Sequence, residues 1–309
     1  MNALMLEKKT ILVTGASGQV ALPIVRALAP QNRVLAFGRF QKPEDRAKLE
    51  ALGAQVVQGD LARGDLDAIP QALDYVLHFA VARSPKPDFD GDLAANAEAA
   101  GLLMARCARA KAFLHCSTAA VYQAKGGEPA RESDPLGDHH RVMMPTYSIC
   151  KIAAEAVVRT GARSLGLPTT IARLGVPYGN NGGWPWYHLM MMKAGVPIPL
   201  HPRGPNRFPL LHEDDYVRHI EGLLALASVP ATIVNWAGSE DTSIETWCAY
   251  LGELTGLEPK FQSTEQTLES LPLDVSRLEA KLGASRVSWR DGLRRLVEAR
   301  NPELLRART

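Results

Sequence analysis

A tyrosine and a lysine stand four residues apart in the stretch TYSICK, at Tyr147 and Lys151. Residues at positions i and i+4 of an α-helix share one face, so the phenol and the ammonium can point at one site. A neighbouring cation favours the phenolate, which would let Tyr147 act as a general acid or base near neutral pH. Two solvated side chains on a helix face are the simpler alternative, so the meaning of the pair depends on what surrounds it.

A second group of polar side chains lies in the stretch HCSTAAVY, upstream of the pair. Ser117 and Thr118 end a predicted strand, where side chains of a parallel sheet face a ligand crevice. A hydroxyl in that position can hydrogen-bond a substrate oxygen. We therefore expect Ser117 and Thr118 to lie near the substrate, together with the phenol of Tyr147.

The elements that must position these residues follow an alternating pattern over the first 175 residues. Apolar, β-branched runs predict strands at 11–15, 33–38, 54–59, 75–80, 112–118 and 169–175. Helical spacing predicts helices at 19–29, 43–52, about 65–72, 93–110 and 147–165. Such alternation is typical of right-handed βαβ units and of a doubly wound parallel sheet, an α/β fold of the Rossmann type.

The remaining chain is rich in glycine, proline and aromatic residues, which indicates a smaller and less regular lobe. We expect a nucleotide-binding domain over 1–175 with about 208–237. A smaller substrate-binding lobe would comprise 176–207 and 238–309. The stretch GGWPWYHLMMM of this lobe contains Trp184 and Trp186, which either wall a substrate pocket or pack the lobe.

A glycine turn opens the first βαβ unit in the stretch TILVTGASGQVALPIVRAL. Gly15 and Gly18 let the backbone turn tightly and approach a pyrophosphate, whose charge suits the following helix N-terminus. The small Ala21 suits helix–sheet packing. A tight turn without a ligand is the alternative, but its position at the start of the series favours a dinucleotide site.

The end of the second predicted strand indicates which dinucleotide is bound. NAD sites usually carry an acid here for the ribose 2′-hydroxyl, whereas this chain has Gly38 and Arg39, with Lys42 close by. An arginine can pair with a 2′-phosphate, which favours NADP over NAD. Alternatively, both cations are ordinary surface charges and NAD binds without the acid.

Two further strand ends would face the same cofactor. Asp60 follows the third strand, where it either accepts from the adenine amine or caps the next short helix. The fourth strand ends in the small residues 80–82, which would let a cofactor lie close. His78, just before them, is more consistent with a core histidine than with a ligand.

Composition excludes several other classes of function. The net charge is +2 and the chain has neither a basic stripe nor a long apolar run, so we expect no nucleic acid and no membrane as partner. The N-terminal residues do not resemble a secretory signal. Four cysteines without a CxxC spacing are expected to be reduced core thiols in a cytoplasmic protein, without a metal site.

These motifs resemble the extended short-chain dehydrogenase/reductase family, and the resemblance spans nearly the whole chain. TGASGQVA is similar to the family's TGxxGxxG/A loop, YSICK to its YxxxK, and STAAVY to its catalytic Ser/Thr segment. GDL, ARLGVPYG, LLHEDD and DVSRLEAKLGA are similar to further family segments. The resemblance implies that Tyr147 exchanges a proton with the substrate, Lys151 holds the nicotinamide ribose and Thr118 orients the substrate oxygen.

The resemblance also implies a homodimer formed by the helices at 93–110 and 147–165, and together with the residues discussed above it gives the full set of expected contacts. The expected cofactor contacts are Gly15, Ser17, Gly18, Gln19, Val20, Arg39, Asp60, Leu61, Ala80, Val81, Ala82, Tyr147, Lys151 and Pro177. The expected small-molecule substrate contacts are Asn96, Ser117, Thr118, Trp184, Trp186 and Arg207.

Three departures from the family pattern restrict the reaction. Ala119 and Ala120 stand where sugar-nucleotide dehydratases carry an Asp–Glu pair, so dehydration of that kind is disfavoured. Val176 replaces an asparagine, and Arg207 lies five residues before His212 rather than four, which weakens the case for a nucleotide-sugar diphosphate. We expect a hydride-transferring oxidoreductase acting on a secondary alcohol or ketone. An epimerase with a retained cofactor and a non-catalytic redox sensor stay open.

Overall fold

The central sheet carries the strand ends that the sequence points to. A computed structural model describes residues 6–84 and 86–306. The strands of these residues are β1 (Thr10–Thr14), β2 (Arg33–Gly38), β3 (Gln55–Gln58), β4 (Tyr75–His78), β5 (Ala112–Thr118), β6 (Thr169–Leu174), β7 (Val176–Gly179), β8 (Gly182–Gly183), β9 (Ile198–Leu200), β10 (Leu210–His212), β11 (Thr232–Trp236) and β12 (Phe261–Ser263).

Among the described residues, seven strands form this sheet in the order β11-β6-β5-β4-β1-β2-β3. β1 pairs in parallel with both β2 and β4, β2 pairs in parallel with β3, and β4 with β5. From the centre of the sheet, β1, β2 and β3 follow one another toward one edge, and β4, β5 and β6 follow one another toward the other. This reversal at β1 and β4 creates the crevice in which doubly wound sheets bind ligands, and it confirms the predicted fold class.

Most of the predicted helices are present, but three features differ from the sequence pattern. The helices of the described residues are α1 (Ala21–Leu28), α2 (Pro43–Ala51), α3 (Phe89–Leu93), α4 (Ala99–Arg106), α5 (Tyr147–Leu165), α6 (Trp184–Ala194), α7 (Glu213–Ala225), α8 (Ile244–Thr255), α9 (Ser276–Leu282) and α10 (Trp289–Arg300). The helix predicted over 65–72 is wrong, because those residues form turns after a short 3₁₀ turn at Leu61–Arg63. The helix predicted over 93–110 is interrupted by a π-helical turn at Ala94–Glu98, and α7 was not predicted.

The chain divides into two compact units. The first comprises the described part of Met1–Val121, with Met144–Arg173 and Val217–Val234. Its core packs side chains of β1, β2, β4 and β5 against α4 and α5. The second comprises Tyr122–Met143, Leu174–Tyr216 and the described part of Asn235–Thr309. It contains a small sheet of β10, β7 and β8 and a paired β12 and β9.

The four cysteines are buried and unpaired, as the sequence indicates: Cys107, Cys116, Cys150 and Cys248. No helix in the described ranges has the length and apolar character needed to cross a bilayer.

Candidate active site

The glycine turn is shaped by a close approach of two backbone segments. Gly15 has a φ of +66°, and a Cβ atom built on it would lie 2.8 Å from the backbone nitrogen of Ala80. The N–H of Gly18 donates to the carbonyl of Gly15 at 2.9 Å, and α1 begins three residues later. Only glycine fits at position 15, since any side chain would meet the backbone that follows β4.

A buried histidine holds this approach together. Nδ1 of His78 lies 2.7 Å from the hydroxyl of Thr14, and the N–H of Ala80 donates to that hydroxyl at 3.2 Å. Burial lowers the pKa of His78 to about 3, so the imidazole is neutral at physiological pH. The expectation that His78 is a core histidine is therefore confirmed, and it joins the ends of β1 and β4.

A cleft of about 400 Å³ lies along the carboxyl ends of β1, β2 and β4. Among the expected cofactor contacts, the cleft is lined by Gly15, Ser17, Gly18, Arg39, Asp60, Leu61, Ala80, Val81 and Ala82. Gln19 and Val20 lie at the start of α1 outside this lining, Tyr147 and Lys151 lie on α5, and Pro177 lies in β7 of the second unit. The exposed glycine backbone and the helix that follows it suit a pyrophosphate, so these residues fit a dinucleotide.

The far end of the cleft is basic. Arg39 and Lys42 are exposed, and both line the cleft. Between them, Phe40 has a φ of +44°, a conformation rare for a residue with a side chain. Asp60 accepts a hydrogen bond from the N–H of Ala62 at 3.0 Å, so it caps the 3₁₀ turn while still lining the cleft.

The first turns of α5 place three polar side chains on one stripe. Tyr147, Lys151 and Glu155 are spaced by four residues, and α5 is helical over all of them. The ammonium of Lys151 is buried and donates to the carbonyl of Cys116 at 2.9 Å. Lys151 therefore reaches the end of β5 and retains two further N–H groups for other acceptors.

The hydroxyl of Ser117, expected to contact substrate, instead donates to Glu155 at 2.5 Å. Ser117 therefore lies on the side of β5 that α5 covers, because Glu155 is a residue of α5. Glu155 also forms a two-pronged ion pair with Arg173 of β6, at 3.0 Å and 2.7 Å. Ser117 therefore belongs to a buried clamp between α5, β5 and β6.

Thr118 is better suited than Ser117 to contact a substrate. Its hydroxyl oxygen accepts from the N–H of Ala120 at 3.2 Å, which leaves its hydrogen to donate. Ala119 and Ala120 form a buried 3₁₀ turn directly after β5, so no carboxylate stands beside Thr118 at these positions.

Asn96, also expected to contact substrate, holds the backbone of the cleft with its side-chain amide. Its amide oxygen accepts from the N–H of Ala82 at 2.9 Å, and its amide nitrogen donates to the carbonyl of Ala82 at 3.0 Å. The same nitrogen donates to the carbonyl of Asp92 at 2.7 Å. Asn96 lies in the π-helical turn, a feature frequently found at functional sites.

The three candidate substrate contacts of the second unit take part in its packing. Trp184 lies edge-on to Phe208, with ring centroids 4.8 Å apart, and Trp186 donates to Asn301 at 3.1 Å. Arg207 forms a two-pronged ion pair with Asp241, with both nitrogen–oxygen distances 2.9 Å. These contacts favour the packing role for the tryptophans over a pocket wall.

Sequence reasoning missed four residues that hold this arrangement: Ser84, Asp92, Thr146 and Glu155. Helical spacing points to two of them, because Glu155 follows Lys151 by four residues and Asp92 precedes Asn96 by four. Ser84 lies in a loop and carries no such signal, and Thr146, the N-cap residue of α5, gives no indication of its bond to Asp92.

Comparisons with known proteins agree with this geometry. Residues 11–235 match the model of the NAD dependent epimerase/dehydratase family. A trifunctional UDP-glucose 4,6-dehydratase/UDP-4-keto-6-deoxy-D-glucose 3,5-epimerase/UDP-4-keto-L-rhamnose-reductase of Arabidopsis thaliana is 28% identical over 96% of this chain and 48% of its own length. A dTDP-4-dehydrorhamnose reductase of Burkholderia thailandensis is 30% identical over 52% of this chain and 49% of its own. The chain thus spans about half the length of the curated relatives it matches.

Solved structures share the fold. The UDP-glucuronic acid 4-epimerase of Bacillus cereus, in complex with UDP-glucuronic acid and NAD, matches with a TM-score of 0.81 and 21% identity. That match covers 94% of this chain and 98% of the epimerase. The UDP-glucose 4-epimerase of Thermotoga maritima matches with a TM-score of 0.79, 21% identity and coverage of 96% and 99%.

Proposed function

Since the chain belongs to the NAD-dependent epimerase/dehydratase family, we propose that it is a reductase that transfers hydride to a ketone of a nucleotide-linked sugar. The names of the curated relatives support the substrate class, because they describe UDP-linked and dTDP-linked keto sugars. The observation that carries the reaction type is the pair of alanines after Thr118, which leaves the polar set of Thr118, Tyr147 and Lys151 without an acid–base pair for dehydration.

In this proposal the residues of α5 and β5 manage the proton while the nicotinamide, when bound, supplies the hydride. Thr118 donates a hydrogen bond to the substrate carbonyl oxygen. Tyr147 delivers its phenolic proton to that oxygen as the alcohol forms. Lys151, fixed by the carbonyl of Cys116, holds the nicotinamide ribose and stabilises the phenolate that Tyr147 leaves.

NADP is the cofactor we favour, with Arg39 pairing with the 2′-phosphate. Arg39 is exposed and lines the cleft at the end of β2, beside Lys42. Replacing Arg39 with aspartate should reverse the preference, since the carboxylate repels a 2′-phosphate and accepts from a 2′-hydroxyl. Fluorescence titration of NADPH and NADH against both proteins measures this, and an unchanged preference would count against Arg39.

The test of the reaction is NADPH oxidation with a panel of UDP-linked and dTDP-linked 4-keto-6-deoxy sugars. Wild-type protein should turn over at least one of them, and Tyr147→Phe should lose about 10²–10⁴-fold in kcat, as for the loss of a general acid. NADPH affinity of Tyr147→Phe should stay near the wild-type value. Turnover that survives in Tyr147→Phe would refute the role of this residue.

An epimerase is the alternative, and the same preparation distinguishes it. An epimerase oxidises and re-reduces one substrate, so purified protein would carry bound nicotinamide and need none added. Mass spectrometry of the denatured protein would find that cofactor. Activity that depends on added NADPH in a cofactor-free preparation supports the reductase.

We also propose a homodimer in which α4 and α5 pair with the same helices of a second copy. Leu102 on α4 is 48% exposed, and Ile149 and Leu165 on α5 are each 37% exposed, so these helices carry apolar surface. Sedimentation at micromolar concentration should give twice the chain mass of 33.6 kDa. The buried thiols are consistent with a cytoplasmic location.

A further inference from the structure

Asp92 is a buried carboxylate in the first unit whose role differs from those assigned above. It is 3% exposed, and it accepts three hydrogen bonds from uncharged donors. Oδ1 accepts from the hydroxyl of Ser84 at 2.7 Å and from the N–H of Ser84 at 3.2 Å. Oδ2 accepts from the hydroxyl of Thr146 at 2.6 Å. The two oxygens therefore serve two different segments of the chain.

One of these segments belongs to the cofactor cleft. Ser84 directly continues the loop after β4, whose residues 80–82 line the cleft. Asn96, one turn after Asp92, holds Ala82 of the same loop by both its N–H and its carbonyl. The α3 and π-helical segment thus fixes this loop at two points.

The other segment is the start of the helix that carries Tyr147. Thr146 occupies the N-cap position of α5, where a threonine hydroxyl normally accepts a hydrogen bond from the first helical turn. Its hydroxyl makes no such bond and donates to Asp92 instead. Helix α5 therefore lacks a side-chain cap. The hydroxyl links Thr146, the residue before Tyr147, to Asp92.

We propose that Asp92 is a positioning residue that couples the cofactor loop to Tyr147 through Thr146. This inference rests on the proposed function, because it assumes that the cleft binds a dinucleotide. Ligand that orders residues 80–84 fixes Ser84 against Asp92, and Asp92 in turn fixes the first turn of α5. The phenol is then held in place once the cleft is filled.

A structural anchor alone would not require a charge at this position. Burying a carboxylate is costly, and its three neutral donors offset that cost only in part. A carboxylate can accept from two segments at once, whereas an amide presents one acceptor and one donor. Asp92→Asn keeps the size of the side chain but turns the charge-assisted hydrogen bond to Thr146 into a weaker neutral one, in which the hydroxyl accepts from the amide nitrogen.

The test is hydrogen–deuterium exchange with ADP, which contains the adenosine and pyrophosphate of the cofactor but lacks its nicotinamide ribose. In wild-type protein, ADP should slow exchange at residues 15–18 and 80–84 and also at residues 146–150. In Thr146→Val the slowing at 146–150 should be lost while that at 15–18 persists, and in Asp92→Asn the slowing at 146–150 should be reduced. Thr146→Ser keeps the hydroxyl and should restore the wild-type pattern.

Asp88→Asn is the matched control. Asp88 is an exposed acid just before α3 that accepts from the N–H of Gly91 at 3.0 Å, so it caps its own helix without reaching α5. This variant should show the wild-type exchange pattern. Its result separates the coupling role of Asp92 from a general effect on α3.

Kinetics provides the second readout. With NADPH and an accepted keto sugar, Thr146→Val should lower kcat by about tenfold or more, as expected for a displaced reacting group, and leave NADPH affinity near the wild-type value. Ser84→Ala should instead weaken NADPH binding by about tenfold, as for loss of a hydrogen bond to a charged group.

Three results would overturn the proposal. ADP that protects residues 15–18 but leaves 146–150 unchanged in wild-type protein would show that no coupling exists. Equal protection of 146–150 in Thr146→Val and Thr146→Ser would show that the hydroxyl is irrelevant, even if Asp92→Asn fails to fold. If ADP protects no residue of 15–18, the cleft does not bind a dinucleotide, and both this inference and the proposed function are refuted.

Discussion

Replacing Glu155 with glutamine should destabilise the protein far more than the same change at the surface. The side chains of Glu155 and Arg173 are 2% and 3% exposed, and Glu155 accepts two hydrogen bonds from Arg173 and one from Ser117. Glutamine keeps the shape and one acceptor oxygen but removes the negative charge that Arg173 faces. The guanidinium would then stay buried without the negative charge of Glu155.

The size of the effect follows from burial. Removing one partner of a buried ion pair costs about 3–5 kcal/mol, and the oxygen that glutamine retains places this change near 3 kcal/mol. The chain offers a control in Arg46 and Glu50, an i,i+4 pair at 2.9 Å whose side chains are each 50% exposed. Glu50→Gln should cost only about 0.3–0.5 kcal/mol.

Thermal unfolding followed by circular dichroism measures both variants. At about 2–4 °C per kcal/mol, Glu155→Gln should lower the Tm by roughly 6–12 °C and Glu50→Gln by no more than about 2 °C. Replacing both partners, as Glu155→Leu with Arg173→Met, should recover much of the loss because no charge stays buried. A Tm of Glu155→Gln equal to that of Glu50→Gln would refute the reasoning.

Two further predictions concern the glycine turn and pH. Gly15→Ala places a Cβ atom 2.8 Å from the backbone of Ala80, so NADPH affinity in a fluorescence titration should fall by about tenfold or more. Gly126→Ala is the control, because Gly126 has a similar φ of +62° and no atom lies within 4 Å of its Cβ position. This variant should bind NADPH with wild-type affinity. Burial lowers the pKa of His188 to about 4, so the unfolded chain takes up the proton first and stability is lost as pH falls from about 6.5 to 4. A Tm series over this range should flatten in His188→Gln, which keeps an acceptor for the indole of Trp247, and an unchanged slope would contradict the assignment.

The fold and the chemistry of single helices could be predicted because they depend on local spacing. Apolar runs alternating with helical segments were enough for the parallel sheet, and a four-residue spacing was enough to place Tyr147 and Lys151 on one face. The glycine turn was predictable because a strand, two glycines and a helix follow one another directly. Its physical cause, the approach of Ala80, is visible only in the structure.

The substrate contacts could not be predicted in the same way because side-chain direction and distant partners decide them. Ser117 and Thr118 are adjacent, yet the hydroxyl of Ser117 donates to Glu155, which lies 38 residues away, whereas that of Thr118 accepts from Ala120 and can still donate. Arg207 has a suitable charge for a diphosphate, but Asp241, which lies 34 residues away, pairs with it. The amide of Asn96 binds backbone of the loop after β4, which lies 14 residues away.

The placement of Tyr147 depends on attachments that no periodicity encodes. Along the first three turns of α5, Thr146 donates to Asp92, Lys151 donates to the end of β5, and Glu155 accepts from Ser117. These partners lie 54, 35 and 38 residues away in sequence. A helix attached at every turn can neither slide nor rotate against the sheet without breaking a buried hydrogen bond. Because small displacements of a reacting group cost large factors in rate, these three attachments would hold Tyr147 and Lys151 in place for the proton transfer proposed above.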